Sequence, residues 1–171
     1  MKKSILLSML LFAFSITANA QRFALIDMEY ILKNIPAYER ANEQLNQISK
    51  RWQSEVETLS NEAEKLYKNY QSEAVFLSEE QKTKKENEIV EKEKAAGELK
   101  RKYFGAEGEL FKKRESLIKP IQDEIYNAVK SVAETKGYSA IIDRASASSI
   151  IFASPQIDIS NDILSKLGYS N

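Results

Sequence analysis

The stretch SEAVFLSEEQ, residues 72–81, decides how this chain is read. Glu, Lys, Gln and Asn dominate on either side, and Ala74, Val75, Phe76 and Leu77 interrupt them as one apolar quartet. Ser78 followed by Gln81 forms a capping box, in which each side chain satisfies an orphan amide of the other residue. Glu79 and Glu80 fall in the first turn, where the helix dipole favours anions. A new helix therefore starts here, and the quartet is the tip of a helical hairpin, because strongly helical, polar sequence surrounds it. Val75, Phe76 and Leu77 are expected first to staple the turn against its own arms. The second reading leaves them exposed to an apolar partner, since residues 78–88 supply no apolar side chain to cover them.

The flanks support a reversal between Leu77 and Ser78. Tyr38, Ala41, Leu45, Ile48, Trp52, Val56, Leu59, Ala63, Leu66 and Tyr70 recur three or four residues apart. A second series runs through Ile89, Ala96, Leu99, Tyr103, Ala106, Leu110, Leu117, Ile121, Ile125, Ala128 and Val132. Both stripes are narrow and suit a coiled-coil seam better than a globular core face. With the turn at 77/78, facing residues have numbers that add to 155. Leu45 then meets Leu110, Trp52 meets Tyr103, Val56 meets Leu99, Leu59 meets Ala96 and Leu66 meets Ile89. Each arm is about forty residues, or about 60 Å of helix. Gly97, Gly105 and Gly108 lie in the returning arm, where each costs about 1 kcal/mol relative to Ala. Either Gly105, with Ala106, makes room for Trp52 and Tyr103, or the three glycines let the arm bend.

Outside the hairpin the period changes. RFALID (22–27), with Phe23, Leu25 and Ile26, reads as a strand, and YSAIID (138–143), with Ile141 and Ile142, reads as another after the helix stop at Gly137. SIIFAS, from Ser149 through Ile150, Ile151 and Phe152, reads as a third, ended by Pro155. Ser160 and Asp162 open a short helix with Ile163, Leu164 and Leu167, stopped at Gly168. So small a sheet is marginal alone, and self-association through it is the natural remedy. Asp27 and Asp143 end similar strands and are expected to cap rather than catalyse. The fold class expected is α+β and mostly helical: a long antiparallel coiled-coil hairpin over 37–119, its tip near 74–78, projecting from a small trimerising β body of 21–36 and 120–171.

Composition narrows the function. The 171 residues hold 25 basic and 25 acidic side chains and neither His nor Cys. That removes most zinc, haem and iron–sulfur sites, a Cys nucleophile and a Ser-His-Asp triad. No phosphate loop, GxGxxG or GxSxG is present, so neither ATP-driven work, a cofactor nor an enzyme is expected. Residues 40–119 carry 17 basic and 16 acidic side chains, no footprint for nucleic acid. Met1, Lys2 and Lys3 precede an apolar run ending in Ala18-Asn19-Ala20, a signal-peptide pattern with cleavage after Ala20. Without Cys, no lipid anchor follows, and the expected compartment is the periplasm.

The segment FALIDMEYILKN, the charged hairpin, then AVKSVAETKGYSAIID and DISNDILSKL together resemble the Skp (OmpH) family of periplasmic chaperones. The resemblance implies a homotrimer whose strands form a central body and whose hairpins hang as tentacles around a cavity. Unfolded outer-membrane β-barrel proteins would be held there without ATP and passed toward the outer-membrane assembly machinery. Phe23, Leu25, Ile26, Ile141, Ile142, Ile150, Ile151 and Phe152 would build the body, with Val75, Phe76 and Leu77 as client-contacting tips. Well-known members carry strongly basic arms; these arms are nearly neutral, so no lipid-binding residues are assigned and contact with a membrane surface stays open. The alternative is a hairpin adaptor that docks end-on to another coiled coil in an envelope assembly.

Overall fold

The computed structural model describes residues 22–147 and 149–169. The expected export signal, residues 1–20, lies outside them. The chain divides into two compact units, one of the described residues up to 34 together with those from 126, the other of residues 35–125.

The first unit is built on two short parallel strands, β1 (Phe23–Ile26) and β2 (Ala140–Asp143). Phe23 lies opposite Ala140, Ala24 opposite Ile141, Leu25 opposite Ile142 and Ile26 opposite Asp143. Parallel strands need a long crossover, and here the chain between them runs through the whole hairpin. Helix α1 (Met28–Lys33) follows β1 at once, with Asp27 as N-cap accepting from the Tyr30 amide at 2.8 Å. Ala24, Leu25, Ile26, Ile31, Ile159, Ile163 and Leu164 form the buried core.

The second unit is the hairpin. Helix α2 (Pro36–Glu73) starts on a proline, whose missing N–H costs nothing in a first turn. A single tight turn, Ala74–Phe76, ends it. Helix α3 (Glu79–Phe104) then returns, capped by Ser78. The Ser78 amide donates to Gln81 Oε1 at 3.0 Å and the Gln81 amide to Ser78 Oγ at 3.3 Å. The turn stands where the capping chemistry put it. Across the hairpin Trp52 stacks on Tyr103, with ring centroids 4.6 Å apart and planes within 5°. Lys92 reaches Glu62 at 2.7 Å, Lys85 reaches Glu73 at 2.6 Å, and the Tyr70 hydroxyl donates to Glu86.

Two expectations need correction. The returning arm is not one helix: α3 stops at Phe104, residues 105–108 are non-helical, and α4 (Glu109–Lys136) begins afresh. Gly105 is extended, with φ −63° and ψ 168°, and Gly108 is buried in the break. Ala106, read as a seam residue, lies exposed in this break. The glycines neither pack against Trp52 within a helix nor merely soften one; they permit a chain path that a Cβ would block. A Cβ on Gly108 would fall 2.8 Å from both the Gly105 nitrogen and the Tyr103 carbonyl oxygen.

The second correction concerns 149–153, which form no strand. A ladder needs a neighbour, and the edge of β1 away from β2 is already taken: Leu25 bridges Asp158, with the Ile159 amide donating to the Leu25 carbonyl at 2.8 Å. The chain then closes with helix α5 (Ser160–Lys166). Gly137 and Gly168, at φ +70° and +85°, end α4 and α5 in the left-handed conformation that glycine adopts freely.

Candidate functional site

In the first unit the polar residues form a structural clamp. Asp143 Oδ1 accepts from the Met28 and Ala145 amides, both at 3.1 Å. Arg144 lies 3.1 Å from Asp27 and 3.2 Å from Asp158. Ser160 Oγ accepts from the Asp27 amide at 2.8 Å and donates to Asp158 at 2.6 Å. Burial pushes the Asp143 carboxyl up, but the amide hydrogen bonds outweigh it and hold the group below its ordinary range. Every member of the clamp is engaged in tying β1, α1, β2 and α5 together, so Asp27 and Asp143 cap, as carboxylates at helix and turn starts do.

The same unit leaves apolar surface open. Of the eight body residues singled out, Leu25 and Ile26 are buried within the chain, and Ile141 and Ile150 are half-buried. Phe23 and Ile142 are exposed, and Ile151 and Phe152 stand almost fully in solvent, at 101% and 85%. Ile151 and Phe152 are neighbours in the chain, and both leave large apolar side chains in water.

The second open surface is the tip of the hairpin. Val75 and Phe76 are each 87% exposed, while Ala74 and Leu77 are half-buried. The stapling role expected of the trio is therefore wrong for Val75 and Phe76. The tight turn is too short to fold either side chain back over the arms. Leaving both in water forgoes about 1.5–3 kcal/mol each, a cost a partner would recover.

Along the arms, Leu45 and Ile89 are buried, and Trp52, Val56, Leu59, Leu66, Leu99, Tyr103 and Leu110 are half-buried. The Tyr103 hydroxyl donates to Glu55 at 2.6 Å, which raises the phenol's pKa, and the hydrogen bond from Lys92 holds Glu62 below its usual range. Sequence reasoning missed Val90, Phe104 and Phe111, all exposed. Each directly follows a residue of the stripe (Ile89, Tyr103, Leu110), and one helical step of about 100° turns it away from the seam. That adjacency was the available signal.

Among the described residues, no helix is long and apolar enough to cross a membrane. The fold is shared with the crystal structure of an OmpH-like outer membrane chaperone candidate from Caulobacter crescentus. The two superpose with a TM-score of 0.68 at 12% identity, over 86% of this chain and 83% of that one. The chaperone protein Skp of Yersinia enterocolitica is 26% identical over 157 residues, which span 91% of each protein. The model of the outer membrane protein (OmpH-like) family matches residues 22–167, nearly all of the sequence beyond the expected signal. The chain belongs to the OmpH-like family.

Proposed function

We propose that this protein is an ATP-independent periplasmic holdase that keeps unfolded outer-membrane β-barrel proteins from aggregating on their way to the assembly machinery. The observation that carries this reading is the pair Val75 and Phe76, standing in water side by side at the end of a long, polar hairpin. A holdase needs weak apolar contacts that re-pack around many clients. Isolated exposed residues along the arms, such as Tyr67, Val90 and Phe111, supply more of the same. Kinship with a chaperone over nine-tenths of the chain supports the assignment.

In this reading the two ends of the chain associate as a homotrimer through Phe23, Ile142, Ile151 and Phe152. Residues 149–153 would then gain, from a second subunit, the strand partner they lack in one chain. Three hairpins would enclose a client, and enclosure multiplies weak contacts by effective concentration.

The test is dilution of a urea-unfolded β-barrel protein into buffer with and without the purified protein, followed by light scattering and by the mass of the complex. A trimer that delays scattering is expected. A monomer at micromolar concentration, or unchanged scattering, overturns the proposal. The tip also separates this role from an adaptor. Val75→Ser with Phe76→Ser should weaken many clients modestly in a holdase, but abolish binding to one defined partner in an adaptor.

A further inference from the structure

The near-neutrality of the hairpin conceals two opposed bands of charge. Just beyond the Trp52–Tyr103 stack, toward the tip, residues 55–65 and 85–99 carry nine Glu against four Lys. At the stack and away from the tip, residues 44–54 and 100–116 carry eight Lys or Arg against three Glu. The two spans are nearly equal in length, and their formal charges, −5 and +5, cancel.

A second apolar stripe crosses the boundary between them. Val90, Gly97 and Phe104 lie seven residues apart on α3, each one position after the seam residues Ile89, Ala96 and Tyr103. Seven residues make about two turns, so the three share one face with only about 20° of drift per step. Val90 and Phe104 stand exposed on it, and Phe111 is exposed beyond the break. Between Val90 and Phe104, Gly97 opens into a notch of about 360 Å³, lined also by Val56, Ala63, Glu64, Tyr67 and Glu93. A Cβ added to Gly97 would meet nothing within 4 Å. The face therefore carries a knob, Phe104, one heptad from a hole at Gly97.

We infer that the hairpin pairs antiparallel with the hairpin of a second copy of this chain, about a two-fold axis near Lys100 and Arg101. Facing residues of α3 then have numbers that add to 201. Phe104 of each copy enters the Gly97 notch of the other, and Val90 lies toward the other copy's Phe111. The same axis lays each acidic span over the basic span of the other copy, the self-complementary match that an isologous contact requires. A parallel pairing would set like charge against like charge and knob against knob. Charge complementarity and the matched notch thus select a second copy as the occupant. The side chains of Lys113 and Arg114 in one band, and of Glu93 in the other, have neither an ion pair nor a hydrogen bond among the described residues. The contact joins one assembly to another and doubles its mass, whether that assembly is a trimer or a single chain.

Sedimentation of the purified protein at about 0.01 M and about 1 M salt, where charges act over about 30 Å and 3 Å, tests the pairing. The mass should double at the lower salt. Lys113→Glu with Arg114→Glu should hold it at the high-salt value, and so should Glu64→Lys with Glu93→Lys. Mixing those two variants should restore the doubling, because each reversed patch then meets its opposite. Phe104→Ala should raise the concentration needed for doubling by about tenfold. Because the chain has no Cys, an introduced one reports on register. Lys100→Cys, beside the axis, should be joined to its counterpart by a short bis-maleimide at low salt. Ser72→Cys, near the tip, should gain no such link. A mass that ignores salt, no recovery on mixing, or a low-salt link through residue 72 overturns the pairing. The pairing does not rest on the holdase reading: protection of a β-barrel without doubling sinks the pairing alone, and doubling without protection sinks the holdase alone.

Discussion

The helical hairpin is interrupted twice, by different means. At 74–78 the chain reverses through a turn whose new helix is capped by side chains: Ser78 and Gln81 exchange hydrogen bonds, and two glutamates follow in the first turn. At 105–108 the chain breaks without such a cap, and what allows the break is missing volume at Gly105 and Gly108. The first stop is made by groups that are present, the second by atoms that are absent. A capped turn tolerates change in proportion to the hydrogen bonds lost. A break that depends on missing atoms tolerates almost none.

The largest expected effects are therefore at the break. A Cβ on Gly105 would fall 2.5 Å from the Arg101 carbonyl oxygen, and one on Gly108 would meet three backbone atoms at 2.8–2.9 Å. Backbone cannot swing aside as a side-chain end can. Gly108→Ala should cost about 1–3 kcal/mol, in the range of overpacked sites. Urea unfolding followed by Trp52 emission would measure it, since Trp52 stacks on Tyr103, just before the break. A loss below about 0.5 kcal/mol would mean that the break relaxes freely and that the contrast between the two stops is false.

Ser78→Ala comes next, at about 1 kcal/mol, the usual worth of an N-cap hydroxyl. Gln81→Ala should cost less, because the hydroxyl would still accept from the residue 81 amide. If the two variants prove equal to Gly108→Ala in unfolding experiments, capping and missing volume carry the same weight in this hairpin.

How much of this was legible in the sequence follows from the same contrast. The reversal was readable because Ser78, Glu79, Glu80 and Gln81 spell out a helix start, and the Trp52–Tyr103 stack falls in the register that the turn dictates. Strands β1 and β2 and the stops at Gly137 and Gly168 were readable for similar local reasons. Helix α1 was not foreseen, although Asp27 followed by Ile31 and Leu32 is a capped apolar turn. The break at 105–108 was hidden because glycines inside a helical pattern signal only a lowered propensity, not where the chain will go. The β-prone run at 149–153 misled because strand propensity names no partner, and in this chain the neighbouring edge belongs to Asp158. At the tip, apolarity was plain but exposure was not, since it depends on how short the turn is.

Gly97 sharpens the comparison from the other side. It sits inside α3, and an added Cβ would meet nothing within 4 Å. Gly97→Ala should therefore stabilise the hairpin by about 0.5–1 kcal/mol through helix propensity alone. The residue also lines a notch of about 360 Å³ with Val56, Ala63, Tyr67 and Ala96. If the open space exists for a client side chain, the stabilised variant should protect a β-barrel less well from aggregation. If protection is unchanged, the glycine serves neither packing nor capture.

The smallest effect on stability belongs to the residues given the largest part in function. Phe76 is 87% exposed and ends the short turn without a side-chain role in the capping box. Phe76→Ser should shift the unfolding midpoint by an amount worth less than about 0.5 kcal/mol, as surface changes do. Aggregation protection should fall in the same protein, so that stability and activity separate at one position. A drop of about 2 kcal/mol or more would show Phe76 packed in solution and return it to the stapling role. The capped turn would then hold itself together with apolar contacts as well as hydrogen bonds, and its difference from the glycine break would widen.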